Sequence, residues 1–336
     1  MRGAIALALL FALLPGYAPA EMPIGIAVTD DASGDHAAAM ALADATGFTM
    51  SVVPVFWDDM MPDGQSYAPQ TDWPKIVDQV YAGLGWQVAL VLPVIDTTED
   101  RRPVPLRNLA WDDPAVTAAF RTYAEGVLSR MQTVKVLSIS VGNEVDVRLA
   151  ATGEWQAYAR FLDQARSILN DLQPGVPVGT TLTWDGLEGP NRTTVRNLGA
   201  RGDIWLITWY PLGPGFRTLP PSVVPTAIDG MVALAAGTPL ALAETGFPSA
   251  GCGASATDQA AIVGAILDAL TQHEGRFAYA NFVWMHDLSP EATQALAAYY
   301  QSDDDCFARF LGSLGLRTRD GRDKPAFSIL RSRLAR

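Results

Sequence analysis

Ser138-Ile-Ser-Val-Gly-Asn-Glu144 and Pro239-Leu-Ala-Leu-Ala-Glu-Thr-Gly-Phe247 decide how the chain is read. Each is an apolar, strand-like run that delivers a glutamate. A buried strand has no use for a carboxylate, because an unpaired charge away from water is strongly penalised. Each glutamate is therefore expected where its strand leaves the core. If both strands are staves of one barrel, Glu144 and Glu244 face each other across its mouth.

Working outward from these two runs, the chain alternates strands with helices. Apolar, strand-like segments are expected over residues 24–28, 49–56, 87–95, 136–141, 176–182, 204–208, 239–243 and 277–283. They are continuously apolar rather than alternating, as parallel strands covered on both faces are. Between them lie helix patterns. Thr71-Asp-Trp-Pro74 reads as a helix start with proline in the first turn. Asp112-Asp-Pro114 caps a long helix reaching about residue 131, Gly47 and Pro174-Gly175 end helices, and residues 258–273 form another. Eight strand–helix repeats predict a single (β/α)8 TIM barrel. The rival is an open doubly wound sheet, and no Gly-x-Gly-x-x-Gly follows the first strand to support dinucleotide binding.

The 336 residues are 49% hydrophobic and 18% charged, a globular composition with ample core. Residues 1–20 read as a secretory signal. Arg2 precedes the apolar run 4–14, and Ala18-Pro-Ala20 is a small-x-small cleavage site. The run is too short for a spanning helix, so no stable membrane insertion is expected once the leader is removed. The mature domain is then expected over 21–336, secreted or periplasmic. In an oxidising compartment Cys252 and Cys306, the only two cysteines, are expected to form a disulfide. The three histidines show no metal-ligand spacing, so neither metal nor cofactor is expected. A formal net charge of −12 disfavours nucleic acid as partner. It allows a neutral poly- or oligosaccharide, and the chain is read as a monomer.

In such barrels chemistry occurs at the C-terminal ends of the strands. The residues expected there include Asp30, Trp57, Asp58, Asp96, Asn143, Glu144, Trp184, Asp185, Tyr210, Glu244, Trp284 and His286. Two facing carboxylates are what glycosidic-bond cleavage requires. Aromatic faces stack on sugar rings, while carboxylates and amides bond hydroxyls.

An Asn-Glu pair ending the fourth strand and a glutamate ending the seventh resemble the retaining glycoside hydrolases of clan A. Val141-Gly-Asn-Glu-Val145, Trp209-Tyr-Pro211 and Glu244-Thr-Gly-Phe-Pro-Ser-Ala-Gly251 are most similar to the β-1,3-glucanases of family 17. The family 53 endo-β-1,4-galactanases come next. Trp284-Met-His-Asp-Leu288 departs from the Phe-Asp-Glu pattern of many β-1,3-glucanases. The resemblance implies double displacement on a β-glycosidic bond, with Glu244 as nucleophile and Glu144 as acid/base. It further implies that Asn143 bonds the sugar 2-hydroxyl, Tyr210 holds Glu244 ionised, and Trp284 floors the subsite of cleavage. Trp57, Trp184, Asp96 and His286 are added as substrate-binding candidates. A transglycosylase on the same scaffold and a non-catalytic carbohydrate-binding barrel are the alternative readings.

Overall fold

The computed structural model describes residues 22–335. The expected leader, with its cleavage site after Ala20, lies outside the described residues. Eight staves form the barrel: β1 (Ile24–Ala27), β2 (Met50–Pro54), β3 (Gln87–Asp96), β4 (Lys135–Asn143), β5, β6 (Trp205–Trp209), β7 (Leu240–Thr245) and β8 (Phe277–Val283). β5 comes in two pieces, Val178–Gly179 and Thr181–Thr183, where the sequence gives one uninterrupted run. The first piece pairs with β4 and the second with β6, all parallel. β8 returns to β1, with Ile24 opposite Ala280, so the sheet closes into a barrel. At the break, the Thr180 hydroxyl leaves the ladder and donates to the Val141 carbonyl at 2.7 Å.

The helices follow from local chemistry. Asp35 caps α1 (His36–Thr46) by accepting from the Ala38 N–H, and Gly47 ends it in the left-handed region at φ 102°. Pro74 occupies the first turn of α2 (Trp73–Gly83). Asp113 caps α3 (Pro114–Leu128), and Ser255 caps α7 (Ala256–Gln272). Between them stand α4 (Trp155–Leu172), α5 (Arg192–Gly199) and α6 (Val223–Ala235), and α8 (Pro325–Leu334) closes the ring.

The apolar side chains form two layers. Met50, Ala89, Leu206, Ala241, Ala243 and Tyr279 fill the barrel interior, while a far larger set lies between barrel and helices. This division fixes the parity of every stave: residues in register with the inner set point at the mouth when the strand ends.

The mouth carries more structure than the sequence reading gave it. Short helices Trp57–Met60 and Val145–Thr152 start directly at the ends of β2 and β4. After β8 the chain builds two cap helices, Pro290–Tyr299 and Asp305–Ser313. Two small hairpins stand beside them, one pairing Leu212–Gly213 with Arg217–Thr218 and one pairing Ala250–Gly251 with Ala254–Ser255. Cys252 in the second hairpin is bonded to Cys306 in the cap, with Cα atoms 5.7 Å apart. Among the described residues no helix is long and apolar enough to cross a membrane.

Candidate active site

The strand ends bring Glu144 and Glu244 to one cavity of about 610 Å³. Both strands break register as they arrive. Along β7, Leu242 pairs with Ile207 of β6, but Glu244 pairs with Thr208, so an extra residue is accommodated between them. Ala241 and Ala243 face the barrel interior, whereas Leu242 packs outward. Simple alternation would send Glu244 outward with Leu242; the irregularity turns it inward, as bulges near functional sites do. β4 breaks register with β3 between Val141 and Asn143.

Glu144 itself stands at φ 45°, ψ 43°, as the residue before the Val145–Thr152 helix. A non-glycine in this left-handed region is held there by its surroundings. Gly142 is required beside it. Its φ is 86°, and a Cβ there would collide with Val145 Cγ1 and come within 2.8 Å of the Tyr158 hydroxyl. That hydroxyl donates to the Val141 carbonyl at 2.7 Å and anchors the end of β4.

Hydroxyl donors orient both carboxylates. Thr208 Oγ1 donates to Glu144 Oε1 at 2.6 Å, and Thr97 Oγ1 donates to Glu144 Oε2 at 2.9 Å. Tyr210 donates to Glu244 Oε2 at 2.9 Å. Burial pushes the Glu144 carboxyl well above the ordinary range, opposed by the two threonine hydroxyls. Burial also pushes Glu244 up, and the charge of Glu144 adds to it. The cause is physical proximity in a poorly solvated site: once one carboxylate ionises, the second is harder to ionise. Burial thus raises both carboxyls, and the Glu144 charge raises Glu244 further. Tyr210 is raised well above the usual phenol value by burial, next by the Glu244 charge, and so remains a hydrogen-bond donor.

Of the other residues expected at the mouth, Asn143, Asp96, Trp184, Asp185, Tyr210 and Trp284 line this cavity. Asp96 serves Asn143: its Oδ1 accepts from Asn143 Nδ2 at 3.0 Å, while its Oδ2 accepts from the Tyr299 hydroxyl at 2.8 Å. A cap helix thereby fixes the orientation of an amide on β4.

Two expectations fail. Trp57 is fully buried, stacked on Tyr123 at 5.5 Å and set edge-on to Phe120. Met50 and Val52 of β2 pack with the inner layer, and Phe56, in phase with them, faces the cavity while Trp57 faces the helices. His286 is also buried. Its Nδ1 meets the Thr29 carbonyl at 2.6 Å and its Nε2 meets Arg317 Nη1 at 3.1 Å, tying the ends of β1 and β8 to the C-terminal segment. Both are structural residues rather than substrate contacts. Asp58 pairs with Arg101 and Arg107.

The sequence reading missed Thr97, Thr208, Asn281 and Tyr300. Thr208 was open to a parity argument, since Leu206 and Thr208 of β6 and Tyr210 just after it are spaced by two. Asn281 lines the cavity floor at 1% exposure, and its Oδ1 has no protein partner. Among the described residues no cluster of His, Cys, Asp or Glu forms a metal site.

No family model and no curated protein sequence matches the chain. Solved structures do. GH5_18 from Bifidobacterium longum superposes with a TM-score of 0.72 at 15% identity, covering 94% of this chain and 79% of that one. GH5_18 from Streptomyces cattleya, solved with GlcNAc, gives 0.68 at 18%, covering 93% and 79%. The exo-β-1,4-mannosidase Op5Man5 from Opitutaceae bacterium strain TAV5 gives 0.69 at 14%, covering 94% of this chain and 59% of that one. These likenesses give no support to family 17 or family 53 in particular. What they share with this chain is the fold: a (β/α)8 barrel similar to those of family 5 glycoside hydrolases.

Proposed function

We propose that the chain is a retaining glycoside hydrolase that cleaves a β-linked saccharide by double displacement. One observation carries this reading: Glu144 and Glu244, delivered by the ends of β4 and β7, reach a single cavity, each oriented by hydroxyl donors and each raised above the ordinary carboxyl range by burial. Retention needs one ionised carboxylate and one protonated carboxyl roughly 5–5.5 Å apart. In this reading Glu244 attacks the anomeric carbon, its free oxygen held by Tyr210. Glu144 protonates the departing glycosidic oxygen, then takes a proton from the water that releases the sugar. Asn143, aimed by Asp96, bonds the 2-hydroxyl, and Trp284 supplies a stacking face.

The motifs around Val141–Val145 and Glu244–Gly251 place β-1,3-glucan on the panel of substrates to be tried. GH5_18 structures carrying Manβ1-4GlcNAc or GlcNAc add β-mannosides to the panel. The leader-like residues 1–20 and the Cys252–Cys306 bond support an exported, disulfide-containing protein. Hydrolysis of laminarin, galactan, xylan and mannan, with the first-formed anomer followed by NMR, tests the assignment. The expected product keeps the β configuration, and activity that survives both Glu144→Gln and Glu244→Gln would refute it.

A further inference from the structure

Hydrogen-bonding side chains line the cavity from the end of β3 round to β8, and two flanks beside them are apolar. Asp96, Asn143, Glu144, Thr208, Tyr210 and Glu244 gather at the acid pair, and Asp185 and Asn281 add to this polar lining. On one flank, Val52, Pro54, Phe56, Val91 and Pro93 from β2 and β3 offer no polar side chain. On the other, Leu212 and Phe216 of the first hairpin meet Phe307, Phe310, Leu311 and Leu314 of the cap. Of the cap residues lining the cavity, only Tyr300 and Ser302 carry a polar side chain.

This wall is built rather than incidental. Phe216 is half-buried and held at φ 54°, a backbone region that a bulky side chain seldom adopts. Its ring lies 4.7 Å from Phe307 and 5.9 Å from Phe310, centroid to centroid, and Phe310 in turn meets Tyr210 edge-on at 5.1 Å. The aromatic contacts thus lead from Tyr210, the partner of Glu244, through Phe310 to Phe216 and Phe307. The Cys252–Cys306 bond fixes the cap that carries it.

A sugar ring presents hydroxyls around its whole edge, and each one buried without a partner is penalised. The polar groups at the acid pair can meet the hydroxyls of the ring that reacts. The flanks cannot satisfy a second ring, but they match a hydrocarbon group. Resting on the hydrolase reading above, we infer that the substrate is a small β-glycoside with one sugar ring at the catalytic pair and an apolar alkyl or aryl aglycone against the Phe216 wall, rather than a polysaccharide.

The test uses methyl, butyl and octyl β-D-glucosides and β-D-mannosides, the octyl compounds below their micellar concentrations. Leaving-group acidity is nearly constant along each series, so differences report apolar contact. The expected result is a kcat/KM at least about tenfold higher for octyl than for methyl, since each buried methylene adds to binding. Phe216→Ser and, separately, Leu212→Ser should cut that octyl-to-methyl ratio severalfold. A flat series, or faster turnover of laminaritriose or mannotriose than of any alkyl glycoside, would overturn the inference. Should no glycoside be cleaved at all, the hydrolase reading falls, yet the pocket can still be read by tryptophan fluorescence. Octyl 1-thio-β-D-glucoside should bind at least about tenfold more tightly than its methyl counterpart, with the ratio reduced in Phe216→Ser; equal binding would overturn the inference independently of turnover.

Discussion

Thr208 Oγ1 lies 2.6 Å from Glu144 Oε1, although Thr208 belongs to β6 and Glu144 follows β4, with the interrupted β5 between them. The same threonine is the ladder partner of Glu244 on the neighbouring β7. One small side chain therefore stands between two acidic residues a hundred positions apart, bonding the first and flanking the second. Thr97 adds a second donor to Glu144 from the end of β3.

Removing the Thr208 hydroxyl should move the pH profile. The bond favours the ionised form of Glu144, so Thr208→Val raises that carboxyl further above the ordinary range. A protonated acid then persists to higher pH. The alkaline limb of kcat/KM is expected to shift upward by about one pH unit, the equivalent of one charge-assisted hydrogen bond. An unmoved or lowered limb would contradict the placement of Glu144 as the acid.

Glu144→Gln should lower kcat by about 10²–10⁴-fold on substrates with poor leaving groups, because departure then lacks a proton donor. With a dinitrophenyl glycoside, whose leaving group needs no proton, the first step should survive and a burst of phenolate should appear in stopped flow. Glu244→Gln should show no burst with either substrate.

Stability should depend on pH through Glu244. Its folded-state pKa is raised, so the folded protein holds the proton longer than the unfolded chain does. The destabilisation is absent below the unfolded value near 4.3, grows as pH rises, and is complete above the folded value. Glu244→Gln should therefore stabilise the fold more at pH 8 than at pH 4, by on the order of 1 kcal/mol or more in urea unfolding. Equal effects at both pH values would indicate a solvated carboxylate.

Two tryptophans should separate stability from activity. Trp57→Ala empties a fully buried site between Tyr123 and Phe120 and should cost about 3–5 kcal/mol of unfolding free energy. Trp284→Ala removes a half-buried face of the cavity and should depress kcat/KM while costing less stability. The reverse ranking would exchange their roles.

Cys252→Ser/Cys306→Ser opens a loop spanning 54 residues and should lower stability by about 4 kcal/mol on the chain-entropy model. Urea unfolding with and without reductant checks this: reductant should weaken the wild type and leave the double variant unchanged.

The alternation of continuous apolar runs with capped helices sufficed to number the staves and to identify the two glutamates, because burial on both faces and capping chemistry are local demands written in composition. The likeness of short motifs pointed to the same pair. Facing was harder to read. Trp57 and Phe56 are adjacent aromatic residues at one strand end, and only the parity set by Met50 and Val52 sends Phe56 inward. Glu244 defeats that parity, since an irregular step against β6 turns it into the cavity. His286 follows β8, but the Thr29 carbonyl and Arg317, remote in sequence, claim both of its ring nitrogens.

What the order of residues determined alone is which segments are strands and helices, and which carboxylates must leave the core, since each follows from the energetics of burying that segment. Only the closed barrel decided which side chains share a cavity. The donors to Glu144 come from β3 and β6, the partner of Asp96 comes from a cap helix two hundred residues away, and the apolar wall joins a hairpin after β6 to a helix after β8. Contacts between distant segments depend on register, strand irregularities and cap packing, and no local pattern of residues encodes these.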